Sequence, residues 1–190
     1  LQISAFRSQL ETNLTGTLMC VQAFLPLLGT DKTCFGPPGR IINISSALGG
    51  KIGYPFYGAY CSSKHALEGL SEALRRELSV HGIKVSVIAP GAISTPIWTK
   101  AENVQVSQNF HQTPYYNAFK KMRFDLKKLG QKGLAPRTVA ITILKAAEEK
   151  NPKIRYTFIN ELNLNLIYIT PRKFLDKLIT WYLGLENIKK

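Results

Sequence analysis

Tyr60 and Lys64 stand four residues apart in Tyr60-Cys-Ser-Ser-Lys64, inside a stretch that reads as helix. Residues four apart share one helix face, so a phenol and an ammonium group sit side by side. A neighbouring positive charge favours phenolate and draws a tyrosine pKa down from about 10 toward working pH. That is what a proton-transferring acid or base requires. A second copy of the spacing runs from Tyr116 to Lys120, so spacing by itself identifies nothing. The first copy differs in what precedes it. Ser45-Ser46 closes a strand-like run, and a glycine-rich loop leads from there to the tyrosine. Ligand sites in open α/β sheets lie at such strand ends. The second copy has no serine-bearing strand before it and is read as chance.

The elements that must position these residues follow from periodicity. Leu10, Leu14, Leu18, Val21 and Leu25 recur at three- and four-residue steps and predict an opening helix, ended by Pro26 and Gly29. Arg40–Ser46 is a short β-branched run that suits a buried strand. From about Tyr57 to Val80 the pattern is helical, with Leu67, Leu70, Leu74 and Leu78 on one face and His81-Gly82 as the stop. Ile83–Ala89 is a second strand, broken by Pro90-Gly91. Ala92–Lys132 reads as irregular, aromatic and basic. Pro136 opens a helix, Lys153–Ile159 a third strand, and Pro171 a last helix that Thr170 is placed to cap. Strands alternating with helices predict α/β architecture, a parallel sheet covered on both faces in three α/β/α layers.

Composition sets outer bounds. The chain has 190 residues, 45% of them hydrophobic and 19% charged, which is globular and excludes disorder. Lys and Arg number 25 against 12 Asp and Glu, a formal charge of +13. Cys20, Cys34 and Cys61 match no zinc spacing and no disulfide framework, so no metal is expected. A reducing, intracellular compartment is expected, by default the cytoplasm. The longest apolar run, Thr17–Leu28, is too short for a bilayer span of about 20 residues.

Four motifs in order carry a resemblance: Asn13-Leu-Thr-Gly16, Ile41-Ile-Asn-Ile-Ser-Ser46, Tyr60-Cys-Ser-Ser-Lys64 and Pro90-Gly-Ala-Ile-Ser-Thr95. With these the chain resembles the C-terminal, catalytic portion of a classical short-chain dehydrogenase/reductase. The resemblance implies an NAD- or NADP-dependent oxidoreductase that interconverts an alcohol and a ketone or aldehyde. It casts Tyr60 as general acid or base and Ser46 as the hydrogen-bond partner of the substrate oxygen. Lys64 tunes the tyrosine and holds the nicotinamide ribose, and Asn13 places a water in a proton relay. Tyr60, Lys64, Pro90, Gly91, Ile93 and Thr95 are the implied cofactor contacts. One departure is local: Ser46 precedes Tyr60 by one residue more than is usual in the family. An extra residue in the Gly49-Gly50 loop would restore the match, with Ser45 as the fallback. Adjacent strand residues face opposite ways, so both serines cannot serve.

The family's opening strand, glycine-rich turn and helix, where backbone amides hold a pyrophosphate, have no counterpart in these residues. The resemblance therefore implies a single partial Rossmann-like domain over 1–190, a doubly wound parallel sheet truncated on its N-terminal side, with one sheet edge bare and weak cofactor binding by this polypeptide. The alternative is a non-catalytic remnant, kept as an interaction module or arising from a partial gene reading. Residues of about 92–132 correspond to a substrate lid. Trp98, Phe110, Tyr115, Tyr116, Phe119, Met122 and Phe124 lie there and suggest a small apolar alcohol or ketone. Family members pair through the helices that hold Asn13 and Tyr60, so a homodimer is implied. Nothing beyond charge supports nucleic acid, and none is expected. The last helix sets Arg172, Lys173 and Lys177 opposite an apolar face carrying Trp181; it packs on the protein or lies on a membrane surface.

Overall fold

The β-branched runs fold as read. In a computed structural model that describes residues 1–34, 36–102, 108–158 and 167–188, strands β1 (Arg40–Ile44), β2 (Lys84–Pro90) and β3 (Arg155–Phe158) form a parallel sheet. The order is β1-β2-β3, with Ile41 opposite Val85 and Val87 opposite Arg155. Ile159, the expected end of the third strand, lies outside the described residues. β2 is central and buried from Val85 through Pro90, which is why its sequence is nearly all apolar instead of alternating.

The chain divides into two compact units. The first comprises Leu1–Gly91 and Arg137–Phe158 and holds the sheet. Its helices are α1 (Ile3–Leu10), α2 (Gly16–Leu25), α3 (Gly58–Glu77) and α7 (Pro136–Glu148, where Pro136 opens the helix just ahead of the unit). Helices lie on both sides of the strands, the Rossmann-like arrangement expected. Val21, Ile41, Leu74, Leu78, Ile83 and Val85 pack together, with Leu25, Leu28 and Leu70 against them. Full burial of such side chains stabilises by about 1.5–3 kcal/mol each. Gly82 takes the left-handed conformation, φ 73°, that stops the run after α3. Between α1 and α2 the helix loosens into a π-helical turn, Glu11–Thr15, which periodicity did not foretell.

The second unit comprises Ala92–Pro136 and Ile159–Lys190. The region read as irregular is substantially helical: α4 (Ile97–Glu102), α5 (Gln108–His111) and α6 (Tyr116–Gln131). Residues 103–107 of the expected lid lie outside the described residues. The apolar stripe of α6 is thin: Ala118, Met122 and Gly130 are buried, while Phe124 faces out. Five Lys and Arg on the same helix mask that stripe in the sequence. Gly130 is buried because the Trp98 ring lies on it; a Cβ there would meet the indole at 2.3 Å. The last helix, α8 (Arg172–Leu183), buries Leu175 and Leu183. Pro171, not Thr170, occupies its N-cap, and no side chain caps it. The Tyr182 hydroxyl donates to Asp125 at 2.7 Å and the Lys121 amine sits 4.0 Å from the Tyr182 ring centre, joining α8 to α6. Among the described residues no helix is long and apolar enough to cross a membrane.

Candidate active site

The chain leaving β1 keeps its pairing with β2 past the end of the strand. The Ser45 amide donates to Ile88 O and the Ala47 amide to Pro90 O, each at 2.8 Å. Strand alternation therefore persists, with Ser45 and Ala47 buried and Ser46 facing the other way. Ser46 Oγ accepts the Gly49 amide at 3.1 Å, and Ser46 stands beside the Tyr60 ring against Gly49, near enough to draw the phenol pKa down. Ser45 Oγ is buried without a hydrogen-bond partner among the described residues. Of the two serines left open by the sequence, Ser46 is the one beside the tyrosine.

The loop between them is held by side chains that spacing did not reveal. A Cβ on Gly49 would lie 2.5 Å from the Tyr60 ring, and one on Gly50 would lie 2.5 Å from Ser45 Oγ. The backbone thus passes against the phenol ring, and glycine is required there for room. His65 Nδ1 lies 2.8 Å from both Gly49 O and Cys61 O, tying the loop to α3. Glu68 of α3 takes Arg155 Nε on both oxygens at 3.1 Å, and the same guanidinium reaches the Ser46 carbonyl at 3.4 Å. Just ahead of α3, Phe56 holds φ 67°, a left-handed conformation costing a non-glycine residue about 1–2 kcal/mol. Such strain persists where surrounding contacts over-determine the backbone.

On α3, the Lys64 amine lies 5.9 Å from the Tyr60 ring centre, as one helix face dictates. It donates to Ile44 O at 2.7 Å. The electrostatic outcome differs from the expectation drawn from spacing. Burial pushes the Tyr60 phenol above its ordinary value; the Ser46 hydroxyl pulls it part of the way back, and Cys61 adds a smaller upward push. Burial also pushes the Lys64 amine below its ordinary value. Desolvation favours the uncharged form of both groups, and here it outweighs the lowering expected from the pair. The phenol therefore keeps its proton to a higher pH than an ordinary tyrosine.

Asn13 sits on the π-helical turn, a local distortion often found at functional sites. Its amide donates to Ser63 Oγ at 3.0 Å, and Ser63 Oγ donates to the Tyr60 carbonyl at 2.7 Å. Its own carbonyl accepts Thr17 Oγ1 at 3.0 Å. Asn13 thus braces the turn of α3 that carries the tyrosine. Pro90 ends β2, and the Gly91 amide donates to Phe158 O at 2.9 Å. A Cβ on Gly91 would stand 3.1 Å from that oxygen.

Ile93 and Thr95 belong to the second unit. Ile93 bridges to Leu134, and its carbonyl accepts Trp98 Nε1 at 2.6 Å. Gly133 runs so close that a Cβ would meet Ala92 O at 2.8 Å. Thr95 lines an open cleft of about 260 Å³ with Ser94, Trp98, Thr99 and Lys127.

Serine, tyrosine and lysine thus gather at the C-terminal end of a parallel strand, where ligand sites of open α/β sheets lie. A family model described as short chain dehydrogenase matches residues 1–105. The chain is 34% identical over 188 residues to an NADPH-dependent 3-dehydrocapnine reductase of Ornithobacterium rhinotracheale, spanning 98% of this chain and 64% of that protein. It is 34% identical over 148 residues to a 3-ketodihydrosphingosine reductase of Bacteroides thetaiotaomicron, spanning 77% and 52%. A short-chain dehydrogenase of Burkholderia cenocepacia, solved in complex with NADP, superposes with a TM-score of 0.64 at 22% identity, covering 94% of this chain and 62% of that one. The chain belongs to the short-chain dehydrogenase family. It spans between about half and two thirds of the length of these relatives.

Proposed function

We propose that the chain carries the proton-transfer site of an NADPH-linked carbonyl reductase acting on a small apolar ketone. The observation that carries this is Ser46 set at a strand end beside the half-buried Tyr60, both against Gly49, with Lys64 one helical turn along. In the proposal the substrate oxygen accepts hydrogen bonds from both hydroxyls. Tyr60 gives up its proton to that oxygen as the carbonyl becomes an alcohol, and Ser46 steadies the developing charge. The phenolate left behind is stabilised by the Lys64 ammonium and takes a proton back from solvent through the relay assigned to Asn13. When bound, a nicotinamide cofactor supplies the hydride. Lys64, Pro90 and Gly91 are assigned to its nicotinamide end in the first unit, and the resemblance adds Ile93 and Thr95 in sequence. Reduction is the proposed direction because both curated relatives described above are named reductases.

Residues 92–132 are proposed as the substrate lid, with Phe110 edge-on to Phe119 at 5.2 Å and to Tyr116 at 6.3 Å as an apolar lining. Exposed Met19, Phe24 and Leu27 along α2 and the turn after it support the homodimer implied by the resemblance. NADPH oxidation driven by a panel of apolar ketones tests the activity, in a polypeptide that sets these residues behind a family strand–glycine turn–helix segment. Ketone-dependent turnover that Tyr60→Phe abolishes is expected; turnover retained near the parent rate refutes the role.

A further inference from the structure

Helix α8 has two apolar faces where a helix packed on a globular protein needs one. Leu175 and Leu183 fill the inner face. On the outer side Phe174, Leu178 and Trp181, spaced by four and three residues, stay 61%, 45% and 64% exposed. Ile169, just ahead of the helix, is 78% exposed. Lys173 and Lys177, one helical turn apart, run beside the Phe174–Trp181 row and are themselves exposed. An aromatic row flanked by a lysine row is the pattern of a helix lying in a bilayer interface.

Charge points to the partner. The second unit holds 12 Lys and Arg against 5 Asp and Glu in 77 residues, whereas the first holds 13 against 7 in 113. The unit bearing the exposed aromatic row is therefore the more basic per residue. The exposed apolar side of α2 offers a contrast: Gly16–Leu25 contains no charged residue at all, so nothing on it attracts a charged surface.

We propose that α8 docks the protein on an anionic phospholipid bilayer, laying Phe174, Leu178 and Trp181 into the headgroup region with Lys173 and Lys177 against the lipid phosphates. The helix does not span; its 12 residues lie along the surface. Such docking presents the protein to apolar molecules dissolved in the bilayer. It needs no turnover, so it stands or falls separately from the proposed reduction.

Co-sedimentation of the 190-residue chain with phosphatidylcholine vesicles containing about one third phosphatidylglycerol tests it. Binding is expected to these vesicles, to be absent with pure phosphatidylcholine, and to collapse between about 0.05 and 0.5 M salt. Phe174→Ser with Trp181→Ser should lower the partition coefficient more than about tenfold. Lys173→Gln and Lys177→Gln should lower it about fivefold each. The circular dichroism of these surface variants should match the parent. Absence of sedimentation at low salt overturns the proposal. So does sedimentation that the aromatic substitutions leave unchanged, which would be adsorption by net charge. A dimer that those substitutions split, seen by sedimentation velocity without lipid, would assign the face to a second copy instead.

Discussion

The chain holds the same four-residue spacing twice, and the two copies share their local geometry. Lys64 lies 5.9 Å from the Tyr60 ring centre, and Lys120 lies 5.5 Å from that of Tyr116. Their surroundings differ. Tyr60 is backed by a strand end that delivers Ser46, by Gly49 against its ring, and by enough burial to lift the phenol above its ordinary value. Tyr116 stacks on His111 at 4.4 Å, meets Phe110 edge-on, and has an exposed lysine. A helix supplies the pairing of side chains at no cost to specificity; a sheet edge, a glycine and desolvation turn one pair into a candidate proton donor.

The contrast can be broken by substitution. In the extended polypeptide, Tyr60→Phe should lower kcat by about 10²–10⁴, the range of general acid–base catalysis, while Tyr116→Phe stays near the parent rate. Next in size, Ser46→Ala should cost about 10²–10³ in kcat, as for loss of one donor to a developing oxyanion. Ser45→Ala should leave kcat near the parent value, and equal losses would erase the distinction between the serines. Gly49→Ala should destabilise the chain by about 1–3 kcal/mol through overpacking on the Tyr60 ring. Gly69→Ala, on the open side of α3, should stabilise by up to about 1 kcal/mol. Denaturant unfolding measures both. The smallest effect is in pH. A phenol whose folded pKa is raised contributes stability that is fully present below its unfolded value of about 10 and is lost as pH rises through the folded value. Above pH 10, Tyr60→Phe should therefore lose stability less steeply than the parent, and parallel curves would contradict the raised phenol.

Much of this was legible in the residues. The runs at 40–46 and 83–89 read as strands because they are short, apolar and rich in β-branched residues, as a buried parallel strand is, and Leu67 and Leu74 gave α3 its inner face. The order of Asn13, Ser46, Tyr60, Lys64 and Pro90-Gly91 carried the family. Other features have no local signature. The Glu68–Arg155 pair links residues 87 apart, and Gly49 lies against Tyr60 through tertiary approach. α6 was hidden because its many lysines swamp a narrow apolar stripe. The direction of the Tyr60 shift was missed because spacing shows the neighbouring charge and not the burial.

The central claim is that Ser46 and Tyr60 form one unit, a phenol raised by burial and drawn part of the way back by the Ser46 hydroxyl. Titration of the ring-carbon resonance of ¹³C-labelled Tyr60, assigned by its loss in Tyr60→Phe, tests this most directly. The phenol should titrate above free tyrosine in the parent chain, higher still in Ser46→Ala, and unchanged in Ser45→Ala. A phenol that titrates at or below the ordinary tyrosine value, or that ignores the loss of the Ser46 hydroxyl, would contradict the account.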